Sequence, residues 1–489
     1  MRVMIATLLL AVSLCAQGAS EVRSTSVALT HVTVIDVAGG PSKADATVVI
    51  AGDRISAVGP SSRVTIPQGA AVIDATGKFL IPGLWDMHVH WEMKDYLPLF
   101  IANGVLGVRM MWGTPAHHEW ARQTADGELL GPRLSIASPI IDGPNPIWRG
   151  SVGVANAAQA REAVLRAKEG GADFIKVYSL LSREAYFAIA AEAHRQGLPF
   201  VGHVPESVNA GEASDAGQKS IEHLTGVLLA SSHDEAAIRA EMRDALAAGA
   251  AEPSALRFRR LTVNVKAVQT HDPAKAAALF ARFKQNHTWQ VPTLTVLRAI
   301  THLDDTNFTN DPRLRYLPKR FRDYWDPKRD ARVRMYTAED WVQSRMVYAQ
   351  YLKLAGQMKR AGVEFLAGSD VSNPYCFPGF SLHDELTLLV EAGFTPLDAL
   401  QAATINPARY LGMLDSLGTV EPGKFADLVL LTANPLQNID NTRTIDSVFV
   451  AGKSIGRAQI DAMLARVEAI ANAPSRDAEE KNPGAERAH

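Results

Sequence analysis

Leu80-Ile81-Pro82-Gly83-Leu84-Trp85-Asp86-Met87-His88-Val89-His90 is an apolar run that ends in two histidines one residue apart. In a strand, residues i and i+2 point to the same side, so both imidazoles can face one metal ion. Neutral imidazole is a common ligand for zinc and its neighbours in the transition series. An HxH pair alone carries little specificity. Its weight here comes from the other candidate ligands that follow it in a regular order.

The middle of the chain, about 80–415, alternates helical patterns with short apolar strands. Helix 156–169 precedes strand 172–178, helix 182–196 precedes 199–204, and helix 341–361 precedes 363–369. Gly171, Gly197 and Gly362 fall just past the helix ends, where a left-handed cap is wanted. Strand candidates start near residues 80, 104, 133, 172, 199, 219, 289 and 363. Alternation predicts a parallel sheet, and eight units predict an α/β fold: a distorted (β/α)8 TIM barrel with insertions. Short strands with Gly/Asp turns recur over 20–79 and again over 416–457. They predict a small β-sandwich formed from both chain ends. A C-terminal helix and a disordered tail are expected over 458–489.

In such a barrel the chemistry sits at the C-terminal ends of the strands. The first strand ends in His88 and His90. The fourth, Phe174-Ile175-Lys176-Val177-Tyr178, carries Lys176 inside an apolar run. The fifth ends in His203, the sixth in His223 and the eighth in Asp370. Each has a plainer explanation: a buried lysine paired with a carboxylate, a satisfied core histidine, an aspartate capping a helix. Six polar residues at the same ends of five strands are hard to attribute to packing.

The bulk properties narrow the function. The 489 residues suffice for one barrel with additions, and a net charge of −2 gives no electrostatic case for nucleic acid or an anionic membrane. The stretch Arg313–Arg334 is basic and aromatic, but at this net charge it is read as a helical lid or solvated surface. Residues 1–19 have one positive charge, a short apolar stretch and then small residues, which predicts a signal peptide and a secreted or periplasmic protein. Its removal would leave Cys376 as the single cysteine, so no internal disulfide is expected. No other segment is long and apolar enough to span a membrane.

The arrangement resembles the amidohydrolase superfamily over nearly the whole chain beyond residue 19. The likeness rests on Ile81–His90, on Glu385-Leu386 through Val390-Glu391-Ala392-Gly393 to Ala402-Ala403-Thr404-Ile405-Asn406-Pro407-Ala408, and on Gly418-Thr419-Val420-Glu421-Pro422-Gly423-Lys424-Phe425-Ala426-Asp427-Leu428. Within the superfamily the chain is most similar to imidazolonepropionase-related amidohydrolases and metal-dependent, prolidase-like dipeptidases. The resemblance implies two divalent ions, zinc being the expected metal. His88, His90 and Asp370 would hold one, His203 and His223 the other. Lys176, carboxylated by carbon dioxide, would bridge them, because a carbamate offers two oxygens where an ammonium offers none. A metal-bridging hydroxide would attack the carbonyl, with Asp370 as general base and then acid. Tyr178, on the same strand face as Lys176, would stabilise the developing oxyanion.

The expected activity is hydrolysis of a C–N bond in a small substrate such as a dipeptide, N-acyl amino acid or cyclic amide. Two features depart from the simplest pattern. Arg109 lies in Gly104–Met111, where relatives often carry an aspartate after the arginine. His203-Val204-Pro205-Glu206 has an HxxE spacing that suits a one-metal deaminase, although Lys176 favours two metals. A phosphotriester or lactone hydrolase is a further alternative, as is a binding protein that kept the fold. Trp91, Trp148, His117 and His118 follow strands and are candidates to line the substrate pocket. The sequence leaves a homo-oligomer open.

Overall fold

The computed structural model describes residues 26–247, 253–330 and 333–473. The expected signal peptide over 1–19 and the tail from 474 lie outside the described residues. Alternating strands and helices fill the middle of the chain. The helix Arg183–Gln196 illustrates the local logic: the Ser182 hydroxyl accepts from the Ala185 N–H at its start, and Gly197 closes it at φ 69°. Gly171 and Gly362 are likewise left-handed, at φ 82° and 83°.

The opening stretch is two strands, not one. Phe79–Pro82 pairs antiparallel with Leu428–Leu431, whereas Leu84–Val89 pairs parallel with Val105–Met110. Gly83 makes the handover. Its N–H donates to the Asp427 carbonyl, and the next N–H, of Leu84, donates to that of Gly104. A Cβ at 83 would lie 2.7 Å from Leu106 Cδ1, so only glycine lets the two strands come this close. The HxH segment is thereby anchored to a sheet built from both ends of the described chain.

Both ends of the described chain build this terminal sheet. Its eight strands form one hydrogen-bonded sheet, which branches at Val27–Val34: Ala71–Asp74 pairs along its first half and Phe79–Pro82 along its second. Leu29, Val32, Val48, Leu428, Leu430 and Phe449 bury one side of it. The helix Arg457–Asn472 follows the last strand.

The parallel strands fall into sheets of three and six rather than one continuous eight-stranded run. Single bridges extend the order: Ala137 to Phe174, Gln290 to Phe365, and Val89 to Val371. The expected eighth strand, 363–369, joins its neighbours through such bridges and through the Met87 N–H donating to the Ala367 carbonyl. Asp370 takes a left-handed conformation (φ 56°), and a Cβ at Gly368 would sit 2.8 Å from that of His88. The insertion at 227–287 is helical where described, with Glu235–Ala247, Pro253–Gln269 and Pro273–Gln285. No helix of the described residues is long and apolar enough to cross a membrane.

Candidate metal centre

Backbone hydrogen bonds between adjacent segments set the site. The Asp370 N–H donates to the His88 carbonyl at 2.9 Å, that of His203 to Val177 at 3.1 Å, and that of His223 to Val291 at 2.9 Å. Registers between neighbouring segments therefore place residues that are up to 282 positions apart in sequence around one point. His88, His90 and Asp370 each offer a ligand atom within 4.8 Å of the others. Asp370 Oδ1 lies 3.3 Å from His88 Nε2 and 3.4 Å from His90 Nε2. His223 and His203 continue the cluster. The ring of His223 is 4.6 Å from that of His88 and 4.9 Å from that of His203. His223, Thr293 and Asp370 all have positive φ, and such strained non-glycine residues gather where function over-determines the backbone.

His88, His203 and His223 each have their second nitrogen anchored. His88 Nδ1 donates to Glu222 at 2.7 Å, which leaves Nε2 as the ligand face. His203 Nδ1 meets the Ser179 hydroxyl at 2.8 Å. Thr293 donates its hydroxyl hydrogen to the Pro292 carbonyl, so its oxygen accepts from His223 Nδ1 at 2.6 Å. Burial holds His88 and His203 well below the ordinary histidine range, with neighbouring cationic groups adding to the effect. Neutral imidazoles are what a metal requires.

Lys176 is fully buried, and its Nζ has no hydrogen-bond partner among the described residues. Burial lowers its pKa to about 8, against the opposing attraction of Glu222 and Asp370. An unsatisfied buried amine costs free energy that native interiors rarely accept. The donor set of imidazoles and a carboxylate therefore fits a divalent cation, and the orphaned amine fits a further group added there.

Arg109 resolves into a structural role. Fully buried, it donates to both Glu222 oxygens at 2.9 and 3.0 Å, and to the Met87 carbonyl, Ser220 and Tyr410. Glu222 escaped the sequence reading although it stands directly before His223. Its only signal was its place in the short strand Ser220–Glu222, next to a candidate ligand. Asp86 was also missed: it binds the Ser369 hydroxyl and N–H, and burial pushes it up to about 6.

A cavity of about 340 Å³ opens on His90, His203, His223 and Asp370, within the range of small-molecule sites. Tyr178 and Trp148 line it. Trp148 Nε1 donates to the Tyr178 hydroxyl at 2.7 Å, and the Tyr178 ring stacks on His203 at 4.0 Å. Trp91 does not line it: 1% exposed, it donates to the Met93 carbonyl and packs against Phe321, which does. His117 closes the N-terminal cap of helix Pro115–Ala125, and His118 lies away from the cavity walls. From the basic stretch, Arg320, Phe321 and Tyr324 do reach the cavity.

The class of protein follows from this fold and this cluster of ligands on parallel strands, and the chain belongs to the amidohydrolase family, whose model matches residues 79–455. Among solved structures it is similar to a bottromycin amidohydrolase (TM-score 0.73, 23% identity, 92% of this chain and 91% of that one). It is also similar to a prolidase-like protein from Bifidobacterium longum (TM-score 0.62, 26% identity, 91% and 99%). A curated relative, N-acetylglucosamine-6-phosphate deacetylase of Caenorhabditis elegans, is 36% identical over 104 residues. That match spans 21% of each chain, so the chain covers about a fifth of this relative.

Proposed function

We propose that this amidohydrolase is a two-metal hydrolase of amide or peptide bonds. The observation that carries the reading is the buried Lys176 Nζ, which has no hydrogen-bond partner among the described residues and lies close enough to His88, His203 and Asp370 to interact with them electrostatically. With carbon dioxide its neutral amine would form a carbamate and release one proton, supplying two anionic oxygens suited to metal ligation. His88, His90 and Asp370 would hold one ion, His203 and His223 the other, with zinc the expected metal. Bound cations of this kind acidify water and polarise a carbonyl.

The remaining chemistry belongs to the chain. Asp370, at the cavity edge, accepts the proton of the attacking water and returns it to the leaving amine. Tyr178 has its oxygen occupied by the Trp148 N–H, so its own hydrogen is available to the developing oxyanion. Glu222 keeps His88 in one tautomer. The competing one-metal deaminase would need Glu206 at the reacting centre. Its carboxylate is instead paired with Arg260 at 2.9 Å.

The test is amine release from dipeptides and N-acyl amino acids by zinc-loaded protein prepared with bicarbonate, with metal content measured alongside. Lys176→Ala should lose activity and bind less than two ions per chain. Full activity in Lys176→Ala would refute the bridging role, and ammonia release without amide cleavage would favour the deaminase.

A further inference from the structure

We infer that Arg260 is a recognition site for a free carboxylate, so that the preferred amide carries a carboxylate on one side and a bulky apolar group on the other. This deepens the proposed function and rests on it. Arg260 comes from Pro253–Gln269, a helix of the long insertion, and its side chain lines the cavity at 28% exposure. Nε and Nη2 both point to a single oxygen of Glu206, Oε1, at 3.0 and 2.9 Å. That occupies the side edge of the guanidinium. Among the described residues no hydrogen bond takes up Nη1, so the end edge, Nη1 with the second hydrogen of Nη2, is left open. This edge matches the two oxygens of a carboxylate.

The cation is held in place before any ligand arrives. The Glu206 N–H donates to the Ser179 carbonyl, and the Glu206 carbonyl accepts from Arg239. Burial opposes the charge on Arg260, but Glu206, Tyr178 and Asp142 more than offset this. Tyr178, which stacks on His203, ties this corner to the metal-binding side of the cavity. A bound carboxylate would therefore lie beside the reacting amide. A doubly charged phosphate suits the corner less well, because Glu206 already neutralises the one arginine. Much of the remaining wall is apolar, with Leu228, Leu229, Leu261, Ile300, Phe321 and Tyr324. Such a surface takes up an aromatic or aliphatic acyl group.

Trp112 and Trp148 line the same cavity, so binding can be followed by tryptophan fluorescence whether or not turnover occurs. The probes are N-benzoyl-L-phenylalanine and its carboxamide, titrated into the full-length protein. The wild type should bind the carboxylate about 10- to 100-fold more tightly, the value of a charge-assisted hydrogen-bonded pair. Arg260→Gln should bring the ratio near one, and Arg260→Lys should retain part of it. Glu206→Gln, which removes the competing anion, should keep or raise it. Equal binding of both probes by the wild type, binding of neither, or a ratio that survives Arg260→Gln would overturn the inference. Phenylalanine release by the zinc-loaded protein is measured in parallel. Carboxylate preference without hydrolysis would remove the amidase reading and leave the anion site standing. Hydrolysis without preference would do the reverse.

Discussion

Replacing Arg109 with methionine would expose how much the histidine geometry depends on a buried charge. The arginine is fully buried, and its hydrogen bonds reach Met87, Ser220, Tyr410 and both oxygens of Glu222. Glu222, also fully buried, in turn receives the Ser220 hydroxyl at 2.6 Å and His88 Nδ1 at 2.7 Å. Methionine matches the apolar stem but leaves a carboxylate in the interior without its cation. Breaking a buried pair in this way costs about 3–5 kcal/mol. The loss should appear in denaturant unfolding of the metal-free protein. Loss of the carboxylate's fixed geometry should also weaken metal binding about 10- to 100-fold, read by competition with a chromophoric chelator. The double variant Arg109→Met/Glu222→Gln removes both charges and should recover most of the stability, while metal binding stays weak. A single variant costing less than about 1 kcal/mol, or a double variant costing the sum of both singles, would refute the reasoning.

Three further outcomes follow from other parts of the molecule. Burial pushes Glu385 up from 4.5 to about 7, so its folded form retains a proton that the unfolded chain releases. Stability from this group is full below pH 4.5 and falls as pH rises toward 7, by about 3 kcal/mol; Glu385→Gln should therefore gain stability relative to wild type between pH 4.5 and 8, and a pH-independent difference in denaturant titrations would count against this. Gly202 has φ 131°, and a Cβ there would lie 2.2 Å from the Val177 carbonyl oxygen and 3.1 Å from Lys176 Cδ. Gly202→Ala should cost at least about 1–3 kcal/mol in thermal unfolding and lower the metal content; a variant with wild-type values would contradict it. Tyr178→Phe should lower kcat about 100-fold with little change in KM or melting temperature, and a kcat within twofold of wild type would remove Tyr178 from oxyanion stabilisation.

Much of the site was legible because its signals are local. His88 and His90 share a side through the two-residue period of an extended chain, and their Nε2 atoms lie 3.1 Å apart. Trp91 and Trp148 show where locality fails. Both are tryptophans in loops after strands, yet one packs in the core and the other faces the cavity, because the Phe321 segment covers the first. The strand expected at 80 split at Gly83 for a related reason. Its apolar residues satisfy two different sheets, and composition does not mark the change of partner.

From the sequence alone came the alternation of strands and helices, the left-handed glycine caps and the polar residues at strand ends. All three are properties of short segments, set by backbone period and side-chain type. Tertiary structure alone decided which groups touch. Glu222 reaches His88, Arg109 secures Glu222, and Arg260 swings from an insertion helix onto Glu206. These contacts depend on the register between strands and on how distant segments pack. Several chain paths satisfy the same local pattern, and only the packed core selects among them.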